Sequence, residues 1–246
     1  MKIHHFYAVI IGSEILNGRR EDKHFAFIRD ALIARGHTLF STFIIKDDVE
    51  LIRSIFTLIK NDPNGVMFSF GGIGSTPDDL TRAIAAEVFS DGVLLSHERF
   101  SRDIVERFGE AAYPHRITMA NLPKNSNLLH NVINNMSGFS LEDRYFFMPG
   151  FPEMSHPMVE ETLERLYPKA TLTYRKTLIA QTSENTLIDV MKQLNPNVDF
   201  SSLPMINKGS PTVEISIAST DEGLCEENFE LFVSDLARKL IPFQIL

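Results

Sequence analysis

The stretch Phe68-Ser69-Phe70-Gly71-Gly72-Ile73-Gly74-Ser75-Thr76-Pro77-Asp78-Asp79-Leu80-Thr81 reads as the end of a buried strand, a glycine turn and a helix start in succession. The run from Gly65 to Phe70 is short, apolar and bounded by turn formers, as a parallel strand covered on both faces should be. Gly71, Gly72 and Gly74 permit positive φ and bare backbone amides, the geometry that wraps an anion. Thr76 suits a helix N-cap and Pro77 the first helical position, while Asp79 at the third completes a capping-box pattern. A strand feeding such a loop is where open α/β sheets bind phosphorylated ligands. Asp78 and Asp79 would repel a bare phosphate. Either Asp79 serves as a cap, or a divalent cation such as Mg²⁺ sits between carboxylate and phosphate. Neither the dinucleotide fingerprint nor the Walker pattern is present, so a phosphate site and a tight structural turn both remain open.

Outward from this stretch, strands and helices alternate. Phe6 to Ile11 reads as a strand ending at Gly12-Ser13-Glu14. Asp22 to Arg35 reads as a helix with Phe25, Ile28, Leu32 and Ile33 as its apolar stripe, closed by Gly36. Thr38 to Ile45 is a second strand. Asp47-Asp48 opens a helix over Val49 to Lys60, with Leu51, Ile52, Ile55 and Ile59 facing inward. After the glycine loop come a helix through Val88, another over Glu98 to Phe108, and a polar excursion over Tyr113 to Asn135. A strand over Arg144 to Met148 runs through Pro149-Gly150 into a helix over Met154 to Leu166. This order predicts a three-layer α/β domain, its parallel or mixed sheet covered by helices on both faces. Residues 170–246 read as a small α+β domain: strands over Thr171 to Ala180, Asp199 to Ile206 and Thr212 to Ser219, and helices from Ser183 and over Asp221 to Leu240. The division expected is 1–169 and 170–246.

Composition narrows the function classes. The 246 residues, 43% of them hydrophobic, support real cores. A net charge of −8 argues against nucleic-acid or anionic-membrane surfaces. The single cysteine, Cys225, fits a reducing compartment, and no apolar stretch approaches a membrane span, so a cytoplasmic location is expected. The eight histidines show no zinc spacing.

Three motifs in this order carry a resemblance: Gly12-x-Glu14-Ile15-Leu16-x-Gly18, Gly71-Gly72-Ile73-Gly74-Ser75-Thr76-Pro77-Asp78-Asp79-x-Thr81, and Pro149-Gly150-Phe151-Pro152-x-Met154. Together they resemble the MoaB/Mog-type molybdopterin-binding domain, in the branch at the N-terminus of the competence/damage-inducible protein A (CinA) family. Gly209-Ser210-Pro211-Thr212-Val213-Glu214 resembles the small domain that follows in CinA proteins, in a stand-alone form without the deamidase domain. The resemblance implies a nucleotide or pterin ligand and no nucleic-acid or membrane partner. It also implies a homo-oligomer, dimer before trimer.

Its ligand would sit on Gly71, Gly72, Ile73, Gly74, Ser75, Thr76 and Thr81, with Gly12, Ser13, Asp22, Lys23, His24, Pro149 and Gly150 nearby. Asp78, Asp79 and Glu14 would hold a divalent metal and carry hydrolysis of a nucleotide pyrophosphate such as ADP-ribose. The alternatives are a non-catalytic binding module and a molybdopterin adenylyltransferase. Ser13 stands where relatives carry aspartate, which implies a weakened metal site. Ser75 replaces a common proline. His115-Arg116-Ile117-Thr118-Met119-Ala120 replaces an Asn-Arg-Lys-Gln stretch. Arg19-Arg20 is read either as a diphosphate contact or as surface charge.

Overall fold

The computed structural model describes residues 4–168, 174–207 and 209–246. The chain divides into two compact units, Met1–Ala170 and Thr171–Leu246.

The first unit begins with β1 (His5–Ile11), α1 (Ser13–Leu16), α2 (His24–Ile33), β2 (Leu39–Ile45), α3 (Val49–Lys60) and β3 (Gly65–Phe70). It continues through α4 (Thr81–Phe89), β4 (Leu94–Ser96), α5 (Glu98–Phe108), 3₁₀ turns at Gly109–Ala112 and Arg116–Ala120, and β5 (Asn121–Pro123). It ends with β6 (Asn127–Leu129), β7 (Gly138–Leu141), β8 (Tyr145–Met148) and α6 (Pro152–Leu166). The six-stranded sheet has the order β2-β1-β3-β8-β7-β6. β2, β1, β3 and β8 run parallel, and β7 and β6 complete the sheet antiparallel. β3 meets β8 in the register Met67↔Tyr145 to Phe70↔Met148.

Alternation along the strands builds the two apolar layers. Phe6, Ala8 and Ile10 of β1, with Phe68 and Phe70 of β3, face Ile28 and Leu32 of α2 and Met158, Val159 and Leu163 of α6. Tyr7, Val9 and Ile11 face the other way, onto Ile52, Phe56 and Ile59 of α3 and Ile84, Ala85 and Val88 of α4. The stripe read from the sequence of α2 needs correcting, because Phe25 and Ile33 are exposed and His24 and Ala31 are inside. In α3, Leu51 is exposed and Phe56 is wholly buried.

The second unit is a four-stranded antiparallel sheet in the order β10-β11-β9-β12, from β9 (Tyr174–Ala180), β10 (Asp199–Asn207), β11 (Ser210–Ser219) and β12 (Phe243–Ile245). A 3₁₀ turn (Glu184–Leu187), the short α7 (Ile188–Met191) and the long α8 (Glu222–Arg238) complete it. Phe229, Phe232 and Leu236 of α8 pack on Val213, Ile215 and Ile217 of β11. Residues 171–173 of the expected first strand, and Lys208 in the hairpin turn, lie outside the described residues.

Candidate functional site

The C-terminal ends of the four parallel strands converge on one cavity of about 630 Å³, within the size range of small-molecule sites. Ile11-Gly12 leaves β1, Asp47 follows β2, Gly71 to Thr76 follows β3, and Pro149-Gly150-Phe151 follows β8; all of these line it. α5 and the loops near residues 116–119 and 134–137 add Phe100, Phe108, Arg107, Arg116, Met119 and Met136.

The glycine loop is held from behind by its own carbonyl groups. Thr81 Oγ1 donates to Gly71 O at 3.0 Å and Thr81 N to Gly72 O at 3.0 Å. The buried Arg82 guanidinium donates to both Ile73 O and Gly74 O. Gly71 N donates to Met148 O at 2.9 Å, which fastens the loop to the end of β8. Gly72 has φ +69°, and a Cβ there would run into the Thr81 hydroxyl, so this close approach requires glycine.

Asp79 folds the remainder of the loop. Its Oδ1 accepts from Gly74 N at 2.8 Å, and its Oδ2 accepts from Thr76 N at 2.8 Å and Thr76 Oγ1 at 2.7 Å. The return bond to Thr76 N forms as a capping box requires. The helix nevertheless starts only at Thr81, after a turn over Pro77-Asp78. The reason is that Thr76 donates its hydroxyl to Asp79 and does not cap a helical amide. Asp78 is exposed, and a hydrogen bond from Thr76 holds its carboxyl below the usual carboxylate range.

Of the residues expected at the site, Gly12, Glu14, Gly71, Gly72, Ile73, Gly74, Ser75, Thr76, Asp78, Asp79, Pro149 and Gly150 line the cavity. Thr81 stands behind the loop, buried. Ser13 does not line the cavity; its backbone N and Oγ donate to Asp47 Oδ2 at 2.8 and 2.9 Å. A carboxylate from the end of β2 therefore lies beside the first turn. Asp22 accepts from His24 N at 2.9 Å and Phe25 N at 3.1 Å, so it caps the start of α2, and Lys23 is exposed.

His24 is a core residue. Its ring stacks on Phe70 with centroids 4.4 Å apart, and its Nε2 lies 3.4 Å from Gly150 O. Its Nδ1 has no partner, and burial pushes its pKa down to about 4, so it is neutral and sits outside the cavity. The expectation that Asp22, Lys23 and His24 contact ligand is thus replaced by a structural role for each.

The acidic set is not arranged as a metal centre. Glu14 lies 3.9 Å from Arg20, and Asp79 is engaged by three donors within its own loop. Among the described residues no group of three or more His, Cys, Asp or Glu is placed to hold a metal ion. Glu14, Asp78 and Asp79 share the cavity without forming the ligand set expected of them.

Reading the sequence missed Asp47, Arg82 and Arg107. The doubled Asp47-Asp48 carried a signal, because Asp48 alone caps α3 through Leu51 N at 2.9 Å, leaving a second carboxylate without a local task. Of the Arg19-Arg20 pair, Arg20 lines the cavity and lies over Phe151, while Arg19 bonds to Asn17.

Residues 7–169 match the family described as "Probable molybdopterin binding domain". The chain belongs to that family. It is 29% identical over 242 residues to a protein of Thermococcus kodakarensis, covering 91% of this chain and 94% of that one. It is 34% identical over 160 residues to a CinA-like protein of Citrifermentans bemidjiense, covering 62% of this chain but only 38% of that relative's length. Among solved structures, CinA of Thermoplasma acidophilum, described as of unknown function, matches with a TM-score of 0.58 and 25% identity over 65% of this chain and 97% of that one. The domain is thus CinA-like as well as molybdopterin-binding in fold. Among the described residues no helix is long and apolar enough to cross a membrane.

Proposed function

We propose that the chain binds a phosphorylated planar heteroaromatic, a nucleotide or a molybdopterin-type pterin, with its phosphate on the glycine loop. One observation carries this reading: the loop carbonyls of Gly71, Gly72, Ile73 and Gly74 are all tied back to Thr81 and Arg82. The amides of Gly71, Gly74 and Thr76 are also engaged, whereas those of Gly72, Ile73 and Ser75 have no acceptor among the described residues. A loop with its acceptors satisfied and its donors left over presents the partial positive charge that an anion needs. The Ser75 hydroxyl adds a further donor. Phe100, Phe108, Met119 and Met136 supply apolar and polarisable surface for a ring.

Binding is favoured over hydrolysis of a nucleotide pyrophosphate, since the carboxylates that would organise a metal are tied into the fold. Calorimetric titration with AMP, and with ADP-ribose in the presence of Mg²⁺, tests both readings. Saturable binding that Gly72→Ala abolishes supports the site. Addition of water across the P–O–P bond of ADP-ribose, giving AMP and ribose 5-phosphate in amounts exceeding the enzyme, would replace the binding-only reading with the hydrolytic one. Absence of any binding would remove both.

A further inference from the structure

Two arginines in the cavity wall stand apart from every carboxylate. Arg107 lies in the last turn of α5 and Arg116 opens the second 3₁₀ segment, and both line the cavity that holds the glycine loop. Both guanidinium groups lie over the ring of Phe108, with Cζ 5.4 and 4.9 Å from its centroid. One N–H of each is anchored on backbone: Arg107 Nη1 donates to Asn134 O at 3.2 Å, and Arg116 Nη1 donates to Ala111 O at 2.7 Å. A guanidinium carries five N–H donors, so four on each side chain have no protein acceptor among the described residues.

The ring and the carbonyl anchors fix the two cations without neutralising them. Asp103 and Glu106 on the same helix share a neighbouring groove with Arg107, yet form no ion pair with it. Arg20, the remaining cavity arginine, by contrast has Glu14 at 3.9 Å. In a chain with 32 acidic and 24 basic residues, leaving two neighbouring guanidiniums unpaired at a ligand-sized cavity is a configuration that an incoming anion stabilises. Planar donor forks match phosphoryl oxygens in bidentate geometry, and stacking on an aromatic face preorganises them.

We propose that Arg107 and Arg116 form a second anion subsite, which takes a phosphoryl group additional to the one on the glycine loop. The ligand is then a nucleoside or pterin bearing two phosphoryl groups. This inference rests on the phosphate reading of the glycine loop.

The test compares AMP, ADP and adenosine 3′,5′-bisphosphate by calorimetry on the full chain, wild type and Arg107→Gln/Arg116→Gln. The expected result is that one of the two bisphosphorylated probes binds at least about tenfold more tightly than AMP. In the double variant that advantage shrinks to below about threefold. Which probe gains tells whether the second phosphoryl group is adjacent to the first or separated from it. Urea unfolding of the double variant checks that its fold is intact. Wild type that binds all three probes equally, or an advantage that survives in the double variant, overturns the subsite and leaves the glycine-loop reading standing. Wild type that binds none of them overturns both.

Discussion

Replacing His24 by glutamine will flatten the acid limb of the stability curve. In the fold the imidazole is only 3% exposed, stacked on Phe70, with Nδ1 unpartnered. Its pKa is pushed down to about 4 from 6.5, chiefly by burial. Arg20 and His156 nearby add to the lowering, while Gly150 O and Asp22 act against it. His156 is itself lowered by burial, with Glu153, Asp22 and Glu160 opposing the shift.

The sign follows from proton counting. Above pH 6.5 neither the folded nor the unfolded state protonates His24, so its stabilising neutral form costs nothing. Between pH 6.5 and 4 the unfolded chain takes up a proton that the folded chain refuses, and stability falls as the pH falls. Below pH 4 both states are protonated and the loss levels off. The difference, 6.5 − 4 = 2.5 pH units, at about 1.36 kcal/mol per unit amounts to about 3 kcal/mol.

Urea unfolding at pH 7.5, 6.5, 5.5 and 4.5 measures this. Glutamine keeps an amide N–H for Gly150 O but has no proton to gain. The wild type is expected to lose most of that 3 kcal/mol relative to His24→Gln as the buffer is acidified. Parallel pH profiles for the two proteins would refute a neutral, buried His24.

Three further outcomes follow from the loop. Arg82→Met strips the buried donor from Ile73 O and Gly74 O; it should cost about 2–4 kcal/mol in urea unfolding and lower AMP affinity at least about tenfold. Asp79→Asn disrupts three hydrogen bonds within the loop and should destabilise by about 1–3 kcal/mol, whereas Asp78→Asn, on an exposed side chain, should leave the unfolding curve unchanged. Gly71→Ala places a Cβ against Ile11 O at φ +100°; a lowered Tm by circular dichroism, with loss of AMP binding in calorimetry, is expected.

What the sequence revealed, and what it hid, divides by the range of the interactions. β3, α3 and α5 fall where local pattern places them, because an apolar run or a 3.6-residue stripe is a property of neighbours in the chain. The start of α4 was misplaced because Thr76-Pro77-Asp78-Asp79 has the letters of a cap, while the tertiary loop recruits Asp79 first. β7, of four residues, is too short for periodicity to register. At Ser13 the sequence shows the loss of a carboxylate; the structure brings Asp47 there from 34 residues away, and no local pattern encodes that approach. His24 reads as a surface residue of a first turn until Phe70 and Gly150 close over it. The arginines on Phe108 are likewise invisible locally, since Arg116 reaches the ring from another segment.

The pairing of β3 with β8 also sets a timetable for the protein's synthesis. The glycine loop leaves the ribosome early, but the acceptor of its first amide is Met148 O, 77 residues later. A growing chain that ends before β8 has the anion-binding letters in place and no strand to fasten them to. Ligand protection of the nascent chain therefore cannot begin until the mixed sheet has closed at its centre. Stalling translation on either side of residue 148 would separate a chain that carries the motif from one that has the site.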